Sequence, residues 1–129
     1  MNRSYVDTSV LVAIALGEPG AERLRRRLAR FGAVFAGGLL EAEFRSAVAR
    51  ENVEGEAAEA HLRRISFVEP PRRMTAEISR ALAVRRLRGA DLWHVACALY
   101  LSPDPHELAF LTLDADQRFV ARKLGFRSR

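Results

Sequence analysis

The stretch Ser4-Tyr5-Val6-Asp7-Thr8-Ser9-Val10 (SYVDTSV) places an aspartate at the end of a short apolar run, where a strand gives way to a helix. Asp7 could serve there as a turn residue, a helix cap or a ligand for a positive charge. Reading outward, Ser4–Asp7 is a short buried strand and Thr8–Leu16 a helix ended by Gly17, with Pro19 and Gly20 beyond. The spacing of Leu24, Leu28 and Phe31 predicts a helix from Ala21 to Phe31. Ala33–Ala36 then reads as a second strand, closed by Gly37 and Gly38. Helices follow from Leu39 to about Arg50 and over Glu56–Arg64, and Ile65–Glu69 is a strand stopped by Pro70 and Pro71. Met74–Leu87 is helical, and Gly89 interrupts it before a helix from Asp91 to Leu101. Leu108–Leu113 carries the strongest strand signal, Ala115–Leu124 is the last helix, and Phe126–Ser128 is a candidate edge strand.

Short apolar strands alternating with helices define an α/β protein with a mostly parallel sheet covered on both faces. The 129 residues contain no repeat, low-complexity tract or linker, so a single domain over 1–129 is expected. In open sheets of this kind ligands bind beyond the carboxyl ends of the strands. Asp7 and Asp114 both fall there.

With 49% hydrophobic residues the chain can bury a core without staples. Cys97, its single cysteine, cannot form an internal disulfide, which suits a reducing compartment. The longest apolar run, Val10–Leu16, is too short for a bilayer, and no secretory leader pattern opens the chain, so a cytoplasmic, membrane-free protein is expected. The formal net charge of +5 is carried almost wholly by arginine, Lys123 being the only lysine. The planar guanidinium fork suits phosphate, so composition allows a polyanionic partner as readily as a solvated basic surface.

Five aspartates are present: Asp7, Asp91, Asp104, Asp114 and Asp116. Asp7, Asp91 and Asp114 each precede a helical pattern and could be N-caps. Asp104 lies between two prolines and reads as a turn residue, while Asp116 sits in a first helical turn, where the dipole alone favours it. Glu43 is harder to excuse. In LLEAEFRSAV it lies among Leu39, Leu40 and Ala47, within the apolar face, whereas Glu41 can pair with Arg45 in solvent. A carboxylate facing a core needs a cation or several donors. A set of Asp7, Glu43, Asp91 and Asp114 would demand a counter-charge, and Mg²⁺ or Mn²⁺ is the natural guest for oxygen ligands.

These residues resemble a known family. YVDTSVLVAIALGEPGAERL, LLEAEFRSAVARE, LRGADLWHVACAL and FLTLDADQRFVARKLGF together are similar to PIN-domain ribonucleases, and among them to VapC-type toxins of VapBC toxin–antitoxin pairs. The resemblance implies a PIN-like three-layer α/β/α sandwich and Mg²⁺- or Mn²⁺-dependent endonucleolytic cleavage of RNA, leaving 5′-phosphate and 3′-hydroxyl ends. By position it assigns Asp7, Glu43, Asp91 and Asp114 as the catalytic acids and metal ligands, with Asp116 as a further acidic position found in part of the family. Ser9 and Thr112 match its small hydroxyl residues and are candidate substrate contacts. It also implies a homodimer and a cognate VapB-type antitoxin. Nothing transfers onto Glu51–Arg73.

Arg85, Arg86 and Arg88 lie just before Asp91 and are candidates for substrate phosphates. Arg23–Arg30 (RLRRRLAR) is read as a solvated helix face ahead of an RNA contact, and His94, three residues past Asp91, as helix packing ahead of a direct role. Trp93 reads as packing and Cys97 as a buried small hydrophobe. Two rivals stand beside the nuclease. A phosphoacceptor receiver domain also clusters aspartates at strand ends, but Lys123 lies deep in the final helix rather than at the end of a late strand. A non-catalytic PIN-fold RNA-binding or regulatory module is the other.

Overall fold

The computed structural model describes residues 2–128. The elements run β1 (Arg3–Val6), α1 (Thr8–Ala15), α2 (Ala21–Ala29), β2 (Ala33–Gly37), α3 (Leu39–Ala49) and α4 (Gly55–Leu62). They continue with β3 (Ile65–Val68), α5 (Thr75–Leu82), α6 (Gly89–Leu101), a 3₁₀ turn at Pro105–Glu107, β4 (Ala109–Leu111) and α7 (Ala115–Leu124). The four strands form one sheet in the order β3-β2-β1-β4. All its pairs are parallel, with Tyr5 level with Phe35 on one side and Phe110 on the other.

Period-two alternation divides the strand residues between two cores. Val6, Val34, Ala36, Ala109 and Leu111 pack with α1–α4 through residues such as Val10, Leu11, Leu40 and Phe44. Tyr5, Phe35 and Phe110 join α5–α7 on the opposite face, with Val95, Leu99 and Val120. The strands are therefore covered on both sides, which is why they read as continuous apolar runs. Every strand ends at the same edge of the parallel sheet, and the turns into α1, α3 and α7 leave from that edge.

Several boundaries differ from those the sequence predicts. Met74–Leu87 is not one helix: α5 stops at Leu82, and Arg85 leaves the helical path to lie over the Phe119 ring of α7 at 3.9 Å. Gly89 opens α6 rather than interrupting a helix, so Asp91 is the third residue of α6 and not its cap. The expected strand Leu108–Leu113 is only three residues long, because Thr112 and Leu113 already turn toward the site. Phe126–Ser128 supplies a single bridge, Arg127 to Ala109, with Phe110 N–H donating to Arg127 O at 2.7 Å. Among the described residues no helix is long and apolar enough to cross a membrane.

Gly37 is required by a close approach. A Cβ there would lie 2.2 Å from Cζ3 of Trp93 and 3.0 Å from the Tyr5 hydroxyl. Gly37→Ala should destabilise the fold by about 1–3 kcal/mol through overpacking and shift the emission of Trp93, the only tryptophan. A Cβ on Gly89 meets nothing within 4 Å, so Gly89→Ala should be neutral or stabilise by up to about 1 kcal/mol. Denaturant unfolding of both variants distinguishes the two sites.

Candidate active site

Asp7 follows β1 and caps α1. Its backbone N–H donates to Leu111 O at 3.0 Å, tying the residue to β4. Its Oδ2 accepts from Ser9 N–H at 3.3 Å and Ser9 Oγ at 2.7 Å, and lies 3.2 Å from Thr112 Oγ1. Asp114 caps α7, its Oδ1 accepting from Gln117 N–H at 2.8 Å. Glu43, on α3, accepts at Oε1 from Thr8 Oγ1 and from His94 Nε2, both at 2.7 Å. Asp91 makes no side-chain hydrogen bond among the described residues.

A common pattern joins these carboxylates. In Asp7, Glu43 and Asp114 one oxygen is anchored and the other has no hydrogen bond; in Asp91 both are unused. No buried side-chain nitrogen or oxygen among the described residues lacks a partner, so the unused oxygens must open to solvent. The capping and site readings of Asp7 and Asp114 are both satisfied, one oxygen serving each.

Asp91 feels the other three acids. Burial raises the Asp91 carboxyl above its ordinary range; the charges of Asp114 and Asp7 add to this, His94 opposes it, and Glu43 adds again. Helix polarity offsets part of the repulsion. Asp7 and Asp114 cap α1 and α7, and Asp91 lies in the first turn of α6, so three helix N-termini serve three of the acids. Glu43 lies in the second turn of α3 and depends instead on Thr8 and His94.

All four side chains offer hard oxygen atoms, and none of the salt bridges found among the described residues joins one of them to a lysine or arginine. No ready cage of three or more His, Cys, Asp or Glu side chains closes around one point among the described residues. Mg²⁺ does not need one: it is ordinarily held by one or two carboxylates, with waters and phosphate oxygens completing its shell. The donor set therefore fits a hard divalent cation.

The remaining expectations divide. Glu41 is exposed and pairs with Arg45 at 2.8 Å, leaving Glu43 as the inward acid. Asp116 stands apart, its exposed carboxylate 3.3 Å from Arg85 and absent from the charges acting on Asp91. Arg85 is thus engaged by Asp116 and Phe119, while Arg86 and Arg88 are exposed. Ser9 and Thr112 are both engaged within the protein. Ser9 Oγ donates to Asp7 and accepts from Leu113 N–H at 3.0 Å; Thr112 Oγ1 accepts from Asp114 N–H at 3.0 Å. The single Thr112 proton is shared between Asp7 Oδ2 and Gln117 Oε1, at 2.8 Å, so both hydroxyls orient carboxylates within the protein.

Asp104 is the turn residue expected, accepting from His106 N–H at 3.1 Å. Cys97 is fully buried, and burial pushes its thiol up to about 11. His94 is more than packing, since it touches Glu43. Sequence reasoning misses Thr8, Gln117 and Tyr5. Thr8 lies beside Asp7 in sequence, and its proximity to the acidic set was the one available signal. Gln117 and Tyr5 look like ordinary helix and strand residues until the fold brings them to Thr112 and His94.

Fold and site together define a parallel α/β domain with a group of acids at the carboxyl edge of its sheet. The PIN-domain profile matches residues 4–123, and the chain belongs to the PIN-domain family, a family of nucleases acting on nucleic acid. A comparison with curated proteins gives no match.

Because the Asp91 carboxyl is raised in the fold, the folded state keeps a proton that the unfolded chain releases. Stability of the metal-free protein should therefore fall as pH rises from about 4 through the raised range, and Asp91→Asn should flatten that fall. Urea unfolding in EDTA across this interval should find the variant more stable than the parent at neutral pH.

Proposed function

We propose that the chain is a metal-dependent endoribonuclease, the VapC-type toxin of a type II toxin–antitoxin pair, acting as a single PIN-like domain over residues 1–129. The observation that carries the nuclease reading is the gathering of Asp7, Glu43 and Asp114 around Asp91, whose carboxyl their charges help to raise, each acid keeping an unused oxygen. Asp7 and Asp91 are the primary ligands of Mg²⁺ or Mn²⁺, and Glu43 and Asp114 complete the site. When bound, such an ion supplies a water activated at neutral pH and neutralises charge growing on the phosphoryl oxygens.

The protein's own part is positioning. Ser9 and Thr112 hold Asp7, Gln117 N–H holds Asp114, and Thr8 with His94 holds Glu43, so the reacting phosphodiester meets preset oxygens. Arginines bind the rest of the backbone. Arg118 and Arg122 follow Asp114 along α7, about 6 and 12 Å down the axis, a spacing comparable to that of successive phosphates. They line a cleft of about 200 Å³ with Thr112, Leu113 and Arg27, and another of about 510 Å³ with Phe119 and Lys123. Arg86 and Arg88 extend the basic rim on the α6 side. The toxin reading adds two partners, a VapB-type antitoxin and a second copy of the chain, and a cytoplasmic place of action on RNA.

Asp7→Asn should lower RNA cleavage by roughly 10²-fold or more with unfolding still cooperative, because it removes a group acting on the transition state. EDTA should abolish wild-type cleavage, and the products should carry 5′-phosphates and 3′-hydroxyls. Full activity of the variant contradicts the assignment; RNA binding by wild type without cleavage in Mg²⁺ or Mn²⁺ favours a non-catalytic module. Arg118→Ala with Arg122→Ala should make the salt dependence of single-stranded RNA binding shallower by about 1.4 in log–log slope. An unchanged slope removes these arginines from the RNA path.

A further inference from the structure

Glu43 is the one acid of the four without a helix N-terminus beside it, and what it has instead is a buried chain of polar groups. Gly37 N–H donates to the Tyr5 hydroxyl at 2.9 Å, that hydroxyl lies 2.8 Å from His94 Nδ1, and His94 Nε2 lies 2.7 Å from Glu43 Oε1. Tyr5 is fully buried and His94 is 1% exposed, so the chain crosses the protein interior. The Trp93 and Tyr5 rings stand edge-on to the imidazole at 5.4 and 5.9 Å, fixing its plane. A carboxylate only accepts hydrogen bonds, so Nε2 must carry the proton toward Glu43 whatever the charge of the ring.

We propose that His94 is a positioning residue for Glu43: anchored at Nδ1 by Tyr5, it shares Oε1 with Thr8 and so leaves Oε2 as the oxygen offered to a cation. The inference rests on Glu43 serving the metal site of the proposed nuclease. A glutamate on a helix has three rotatable side-chain bonds and would otherwise sample several positions before binding an ion. Two donors on one oxygen remove that freedom in advance, as groups outside a metal's ligand shell commonly do. The arrangement also accounts for a fully buried histidine on a helix whose other inward residues are apolar.

Three measurements test this. In metal-free wild-type protein, ¹⁵N-edited NMR of the imidazole should show Nε2 protonated. An Nε2 without a proton overturns the proposal and needs no variant. His94→Leu removes the donor while roughly keeping the volume, and should weaken Mn²⁺ binding, read by EPR titration, by about 10- to 100-fold. His94→Gln places an amide nitrogen near the position of Nε2 and should recover most of that loss, which a purely space-filling role would not require. Leu and Gln variants of equal affinity, or a Leu variant that binds like wild type, overturn it. A Leu variant that fails to fold leaves the NMR result and the Gln variant to decide. Wild type that binds Mn²⁺ and cleaves RNA beside an unaffected Leu variant sinks this inference alone. Wild type that neither binds Mn²⁺ nor cleaves RNA sinks the nuclease reading with it.

Discussion

Like-charge crowding at the carboxyl edge of the sheet is the constraint on which the rest of the structure depends. The fold brings four acids from separated parts of the chain together, and the Asp91 carboxyl is raised first by burial and then by the charges of Asp114, Asp7 and Glu43. In the metal-free protein that arrangement costs stability, because ionised carboxylates repel and are partly withdrawn from water. Each is tolerated by a local device. Three sit at helix starts, where the backbone supplies partial positive charge, and the fourth receives two side-chain donors.

Those devices hold one oxygen of Asp7, Glu43 and Asp114 and leave the other. Asp104 also caps with one oxygen, so what sets these acids apart is that the charges of Asp7, Glu43 and Asp114 all act on Asp91. The anchoring also explains why Ser9, Thr8, Thr112 and Gln117 are polar at positions near a packed core. Their hydrogen bonds run from one element to another, joining the start of α1 to the end of β4, to α3 and to α7. On the proposed nuclease reading, Arg118 and Arg122, which line clefts along α7, would draw a polyanion toward the acids that a cation would make hospitable.

Much of this was legible in the sequence because the relevant signals are local. The alternation of short apolar runs with helical patterns gave the parallel sheet, and α7 was read to its limits, since its cap, apolar face and closing glycine all lie within a dozen residues. Helical phase and the family resemblance favour Glu43 over Glu41, which a different helix register would have left as a competitor; in the fold Glu41 pairs with Arg45 and Glu43 meets His94. What could not be read depends on distant contacts. α5 ends at Leu82, before Arg85 reaches across to Phe119 of α7, and Gly89 opens a helix where local rules suggest a break. His94 was weighed as packing because neither Tyr5 nor Glu43 is near it in sequence. The hydrogen bonds of Ser9 and Thr112 to Asp7 could not be read either, because a hydroxyl's partner is invisible until three elements converge.

The central claim is that the acidic pocket is a binding site for a divalent ion. Anomalous diffraction from crystals grown with Mn²⁺ tests it most directly. The account predicts a peak about 2.0–2.3 Å from carboxylate oxygens of Asp7 and Asp91, with Glu43 and Asp114 directly or through water around it. Saturating Mn²⁺ that leaves this pocket without density, or that settles instead beside exposed acids such as Glu41 and Glu59, would contradict it.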